Sequence, residues 1–256
     1  MTTIKIYGKA YTFAKSVKAG FDDKQKRAVK LAAKFETLDK KFDGMIERGG
    51  YVSDTARCAL ACKLMMHTGI RIGNESSSEG YMTKPHPNSK KQAEFVKTYG
   101  LTTLLPNHIH VQRGKAYINF VGKKSVENSF CVTGELAKQI KAVLATVADG
   151  ETFLEITAYE LTKFIKRYVG RRFTPKDFRT MRANMYASEK MAEFLKQPAP
   201  TTKRAYNSEV REVCEYVAEK LNNTPSVCKK SYIDGDMWQI FENERLKYQA
   251  IWCITY

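Results

Sequence analysis

One stretch decides most of what this chain can fold into. Residues 101–132 hold the strongly β-like part of the sequence, with NHIHVQRGKAYINFVGKKSVENSFCV broken at Arg113-Gly114 and again at Gly122-Lys123. Both dipeptides are hairpin-turn signals, so three short strands in an antiparallel meander are expected. Flanking segments read differently. Residues 3–13 alternate well enough for a strand or one arm of a hairpin, and residues 22–48 are polar, Lys-rich and helical in period. From Ser53 to His67, Ala56, Leu60 and Leu64 recur at i+4, which predicts an amphipathic helix ended by Gly69. Residues 76–97 open with Ser, Gly and Pro and turn basic, which suggests a long exposed loop running into a short helix. After the meander the pattern is helical throughout, with core stripes at Leu161, Phe164, Ile165 and Tyr168, at Phe178, Met181 and Met185, and at Val210, Val213, Val217 and Leu221. The expected fold class is therefore α+β, mainly helical around a small three-stranded antiparallel sheet. A short N-terminal β segment at 1–20 would precede one main domain at 21–256.

Charge narrows the partner. Forty-three Lys and Arg against twenty-seven Asp and Glu give 256 residues a net charge of +16. Such an excess concentrates polyanions at the surface, and nucleic acid is the usual one. An acidic membrane would want a basic amphipathic anchor or a lipidation signal, and neither is present. No run of eighteen apolar residues suggests a membrane span, and MTTIKIYGKAYTF has no apolar core of a signal peptide. Cysteines at 58, 62, 131, 214, 228 and 253 form no CxxC pair, so free thiols in a reducing compartment are expected. His108 and His110 would share a strand face, but no third ligand stands near them, so no metal site is assigned. No Gly-rich phosphate loop suggests nucleotide use.

Four cationic segments each stand beside a backbone punctuation mark. TGIRIGNE puts Arg71 just past a helix end between two glycines. FVGKKSVEN puts Lys123 and Lys124 in a hairpin turn, where a side chain can reach away from the sheet into a groove of DNA. FTPKDFRT starts a helix at Thr174-Pro175, with Lys176 and Asp177 in its first turn. Arg179 follows beside the core residue Phe178, either poised for an anion or an ordinary surface arginine. NNTPSVCKKSY repeats the Thr-Pro device, with Asn223 just outside the new helix and Tyr232 about two turns on.

Their order raises their weight: Arg, hairpin Lys, Lys-x-x-Arg, a polar residue before Thr-Pro, then Tyr. In this the chain resembles the type IB DNA topoisomerases, especially the compact poxvirus-like and bacterial forms. The matching segments are TGIRIGNE, YGLTTLLPNHIHV, FVGKKSVEN, PKDFRT and NNTPSVCKKSYI, in register over roughly residues 50–235. The resemblance implies that residues 21–256 form a DNA breaking-rejoining catalytic domain acting on double-stranded DNA. Tyr232 would attack a phosphodiester and form a 3′-phosphotyrosyl bond, the cut strand would swivel, and rejoining would relax supercoils. Arg71 and Arg179 would hold the non-bridging oxygens, and Lys123 would protonate the departing 5′ oxygen. Lys124, Lys176, Lys229, Lys230, Arg113 and Lys84 would meet the DNA backbone. The resemblance further implies a monomeric enzyme needing neither ATP nor a metal or other cofactor. It would work inside the cell with DNA, in cytoplasm or nucleoid, or in a viral factory or virion if the source is viral.

The chain departs from that pattern in three places. Asn223 stands where the family usually has His; its amide can donate a hydrogen bond but carries no charge, which implies a slower enzyme. Arg71 comes early, leaving little room for the N-terminal domain that closes around DNA. Residues 76–97, with Lys84, Lys90 and Lys91, look like an insertion. Two other readings stay open. A tyrosine recombinase shares the chemistry but commonly shows His-x-x-Arg where this chain has Lys176-Asp177-Phe178-Arg179. A DNA-binding homologue impaired by the Asn223 change is the second.

Overall fold

In the computed structural model the described residues are 2–13, 22–83 and 93–246. Two strands, β1 (Thr2–Ile6) and β2 (Lys9–Phe13), form an N-terminal antiparallel hairpin. Helices α1 (Asp22–Ala33), α2 (Phe35–Arg48), α3 (Asp54–Thr68) and α4 (Glu75–Glu79) follow, then the two-residue strands β3 (Tyr81–Met82) and β4 (Phe95–Val96). The meander is β5 (Ile109–Gln112), β6 (Lys115–Gly122) and β7 (Val126–Thr133). Six helices follow among the described residues: α5 (Gly134–Leu144), α6 (Ala158–Tyr168), α7 (Pro175–Phe194), α8 (Lys203–Lys220), α9 (Pro225–Ser231) and α10 (Gly235–Leu246). The class is α+β with a small three-stranded antiparallel sheet, as the sequence implies. No described helix is long and apolar enough to cross a membrane.

The chain divides into two compact units, residues 1–36 with 176–256, and residues 37–175. In the first, α7, α8, α9 and α10 share a core built on Met191, Phe194, Val213, Val217, Leu221 and Phe241. The stripe at Val210, Val213, Val217 and Leu221 is buried in it, as its spacing predicts. The N-terminal hairpin is fastened to α7, where the Thr12 N–H donates to Ser188 Oγ at 2.7 Å and Lys9 pairs with Glu189 at 2.7 Å.

In the second unit the meander has order β5-β6-β7, with Ile109 opposite Ile118 and Ile118 opposite Phe130. Its inward residues alternate: Ala116, Ile118 and Phe120 on β6, and Asn128, Phe130 and Val132 on β7. Two turns close it as the sequence suggests. Arg113 (φ 50°) and Gly114 (φ 74°) form a two-residue left-handed turn, and Lys123–Ser125 forms the other, with Lys124 at φ 65° and Ser125 at φ 57°.

Two expectations need correcting. Helix α3 is not amphipathic: nearly its whole surface is buried, Arg57 and Lys63 included. Small residues (Ala56, Cys58, Ala59, Ala61, Cys62) let α5, α6 and β7 pack closely around it. Its charges are met inside: Lys63 pairs with Asp43 and, at 3.4 Å, with Asp39, and Arg57 pairs with Glu155. Its end is as expected, with Gly69 at φ 71° donating to the Met65 carbonyl. Nor do the described residues of the stretch 76–97 form a loop that runs into a helix. The short helix α4 comes first, and β3 and β4 then pair as a ribbon, Tyr81 opposite Val96.

Candidate active site

The sequence LNNTP explains where the tyrosine stands. Helix α8 ends at Lys220, and the chain turns through Asn222 at φ 47°, a left-handed position that Asn tolerates. The Asn223 N–H closes the turn on the Ala218 carbonyl at 2.9 Å. Thr224 then caps α9, its hydroxyl accepting from the Val227 N–H, and Pro225 takes the first helical position. One asparagine is thus a turn residue, and the other is pinned between two helix ends. Asn223 Oδ1 accepts from the Thr224 N–H at 3.0 Å, which fixes the amide's orientation. Its Nδ2 is buried and has no hydrogen-bond partner among the described residues. A buried donor left unpaired costs about 1–3 kcal/mol, and such a donor marks a place where a ligand acceptor would be welcome.

Tyr232 caps the far end of α9, and its N–H returns to the Cys228 carbonyl. Its own carbonyl is gripped from two helices: Gln25 Nε2 on α1 donates at 3.0 Å, and Asn184 Nδ2 on α7 lies at 3.3 Å. Asn184 also reaches Gln25 Oε1 at 2.8 Å and accepts from the Asp234 N–H at 2.9 Å, so the residues around the tyrosine are tied on both sides. Arg179 is buried on α7, donates from Nη2 to the Leu221 carbonyl at 2.5 Å, and holds its guanidinium carbon 5.4 Å from the Tyr232 ring centroid. It is not a surface arginine. Asp177, in the first turn of α7, is buried and ion-paired with Arg27 of α1 at 3.1 Å.

A second cation stands over the same ring. Lys24 of α1 lies 5.1 Å from the Tyr232 centroid and donates to the Ser231 carbonyl. Burial lowers its pKa to about 8; the nearby charges of Lys176 and Arg27 add to this, and Asp177 opposes it. Sequence reading missed Lys24, Gln25 and Arg27, because nothing local sets them apart from the other polar residues of α1. Asn184 left a faint signal, a polar residue inside the apolar stripe of α7.

In the unit 37–175, Arg71 and Lys123 are joined through one short segment. The Leu101 N–H donates to the Arg71 carbonyl, and the Tyr99 N–H donates to the Val121 carbonyl, each at 2.8 Å. Residues 99–101 therefore brace the Arg71 loop and the stem of the Lys123 hairpin together. Gly100 makes the brace possible: a Cβ there would lie 2.4 Å from Gly73 Cα. The YGLTTL motif is thus a spacer between two cation-bearing loops. Arg71 is half-buried and Lys123 is exposed at its turn.

Of the remaining cations, Lys124 and Arg113 are exposed on the two hairpin turns. Lys176 is exposed at the start of α7, Lys230 is exposed on α9, and Lys229 lies 5.7 Å from the Trp238 ring centroid. Lys84, with Lys90 and Lys91, lies outside the described residues. His108 is committed to the fold: its Nδ1 accepts from the Leu105 N–H at 3.0 Å, and its ring meets Tyr99 edge-on. It ends a 3-10 turn ahead of β5, so it does not alternate with His110 in one strand.

Tyr232 is anchored through its backbone and has two cations, Lys24 and Arg179, near its ring, and cations of this kind are the equipment of a phosphate-handling site. Residues 15–253 match the family described as the eukaryotic DNA topoisomerase I catalytic core, and the chain belongs to that family. It is also similar to the DNA topoisomerase 1B of Acanthamoeba polyphaga mimivirus, 26% identical over 160 residues. That match takes in 57% of this chain and 48% of the mimivirus protein, so the chain spans about half the length of this relative.

Proposed function

We propose that the chain is a type IB DNA topoisomerase that relaxes supercoiled duplex DNA as a monomer, wherever DNA is held within a cell or virion, without ATP or a metal. The reading rests chiefly on one observation: Tyr232, the residue matching the family nucleophile, is anchored through its backbone with a buried arginine 5.4 Å from its ring.

The chemistry follows from the residues. The Tyr232 oxygen attacks phosphorus and gives up its proton to solvent, the bond from phosphorus to the 5′ oxygen breaks, and a 3′-phosphotyrosyl ester forms. Arg71 and Arg179 meet the negative charge on the non-bridging oxygens as permanently charged forks. Lys123 gives a proton to the departing 5′ oxygen, which an arginine could not do. Asn223 supplies a neutral hydrogen bond from Nδ2, the donor left without a partner among the described residues. One phosphodiester replaces another, so the 5′ hydroxyl can reverse the step with no outside energy source. Arg113, Lys124, Lys176, Lys229, Lys230 and Lys84 would neutralise backbone phosphates, which makes binding weaken steeply with salt.

The test is relaxation of a negatively supercoiled plasmid that carries no recombination site, in EDTA and without ATP, beside Tyr232→Phe. A ladder of relaxed topoisomers from the wild type alone is expected. Failure to relax at low salt would instead favour the recombinase or the impaired DNA-binding homologue.

A further inference from the structure

The first turns of α1 address the tyrosine from a position the sequence motifs leave out. Gln25 holds the Tyr232 carbonyl, Arg27 pairs with Asp177 of α7, and Lys24 reaches the last residue of α9 and the ring beyond it. Lys24 and Tyr232 are 208 residues apart in sequence, yet among the described residues the ammonium group is one of two cations near the ring. A partly desolvated ammonium over an aromatic face is attracted by the ring quadrupole, and its hydrogen bond to the neighbouring carbonyl limits where both groups can go.

We propose that Lys24 is a positioning residue for Tyr232: its charged amine, bonded to the Ser231 carbonyl and lying over the phenol ring, holds the nucleophile in its attacking place and loosens that hold when it loses its proton. This rests on the reading of Tyr232 as nucleophile. The groups facing Lys24 are Arg27 on its own helix, Lys176 and Asp177 on α7, and Tyr232 after α9, with Arg179 also near the ring. Lys176 and Arg27 disfavour its charge, and so does burial, so deprotonation near pH 8 falls within the range a cleavage assay can cover. The cation–π attraction belongs to the ammonium form alone, so positioning weakens as pH rises through that value.

The experiment is single-turnover cleavage of a DNA duplex whose cut fragment dissociates and traps the covalent adduct. Wild type, Lys24→Met and Lys24→Arg are compared from about pH 7 to about pH 9, around the lowered pKa. Lys24→Met is expected to cleave about tenfold slower at neutral pH, in keeping with loss of one partly buried cation–π contact. Lys24→Arg, charged throughout, should recover most of that rate. The ratio of wild-type to Lys24→Arg rates should fall about fivefold across the range, because titrations common to both cancel. Duplex affinity, measured with Tyr232→Phe in each background, should change less than about twofold, since the hold acts on the tyrosine and not on the DNA. If Lys24→Met does not fold, the pH dependence of the wild-type to Lys24→Arg ratio decides alone. A flat ratio, or a Lys24→Met rate equal to wild type, overturns the role of Lys24 and leaves the topoisomerase reading intact. No adduct from the wild type overturns both.

Discussion

Gly100→Ala is the substitution whose effect can be worked most fully from structure. The added Cβ would lie 2.4 Å from Gly73 Cα, 2.5 Å from Gly73 N and 3.0 Å from the Arg71 carbonyl oxygen. Carbon pairs rest at about 3.5–4.0 Å, so the overlap exceeds an ångström and falls on backbone that no rotamer change can relieve. The Leu101 N–H to Arg71 and Thr102 N–H to Ile72 hydrogen bonds, at 2.8 and 2.7 Å, must stretch as the two segments part. Overpacking of this kind costs about 1–3 kcal/mol, and the immovable neighbour puts Gly100→Ala near the upper end. In a chain of this size that lowers Tm by roughly 6–12 °C. Gly114→Ala is the matched control in the same unit, because a Cβ there meets nothing within 4 Å and only its φ of 74° opposes it. Its cost should stay near 1 kcal/mol. Differential scanning calorimetry measures both, and single-turnover cleavage at a temperature where both are folded should be slower for Gly100→Ala, since the brace carries Arg71 and the Lys123 hairpin. A Tm within about 2 °C of wild type for Gly100→Ala would refute the overpacking argument.

Three further outcomes follow from the site and its surroundings. Asn223→His should raise the cleavage rate about tenfold by adding a charged donor, and a tenfold drop would mean that residue 223 does not face the phosphate. Burial lowers the pKa of His108 below its ordinary 6.5. The unfolded chain therefore takes up a proton that folded His108 resists, and stability should fall as pH drops below 6.5, more steeply for wild type than for His108→Asn in urea titrations. In a Cys253→Ser background a thiol reagent should label Cys131 first. Cys131 is exposed, whereas burial pushes the Cys58 thiol up to about 12, raises Cys62 and Cys214, and encloses Cys228. Mass spectrometry of the singly labelled protein checks the assignment.

The features legible in the sequence were those fixed by local backbone chemistry. Arg113-Gly114 announces its hairpin because two successive left-handed residues suit that turn. Pro175 and Thr224-Pro225 announce helix starts, and Gly69 a helix end, because each meets the needs of unpaired backbone groups. The meander was legible because its strands alternate over eight residues in β6 and β7. By contrast β3 and β4 have two residues each, too few for a period to emerge. Burial of Arg57 and Lys63 on α3 depends on Glu155, Asp39 and Asp43, which the spacing of α3 cannot reveal. The environment of Tyr232 was hidden for the same reason. The motif order pointed to Arg179, which lies near the ring, but Lys24 and Gln25 contact residues 207 positions away along the chain, and only the folded unit brings them there.

The central claim is that Tyr232 carries the strand. Its most direct test is to trap the covalent protein–DNA complex, digest both partners, and find by mass spectrometry which side chain keeps a nucleotide and through which end. A single tyrosyl ester at Tyr232, joined to the 3′ end of the broken strand, is expected. A nucleotide on another residue, or one attached through its 5′ end, would contradict it.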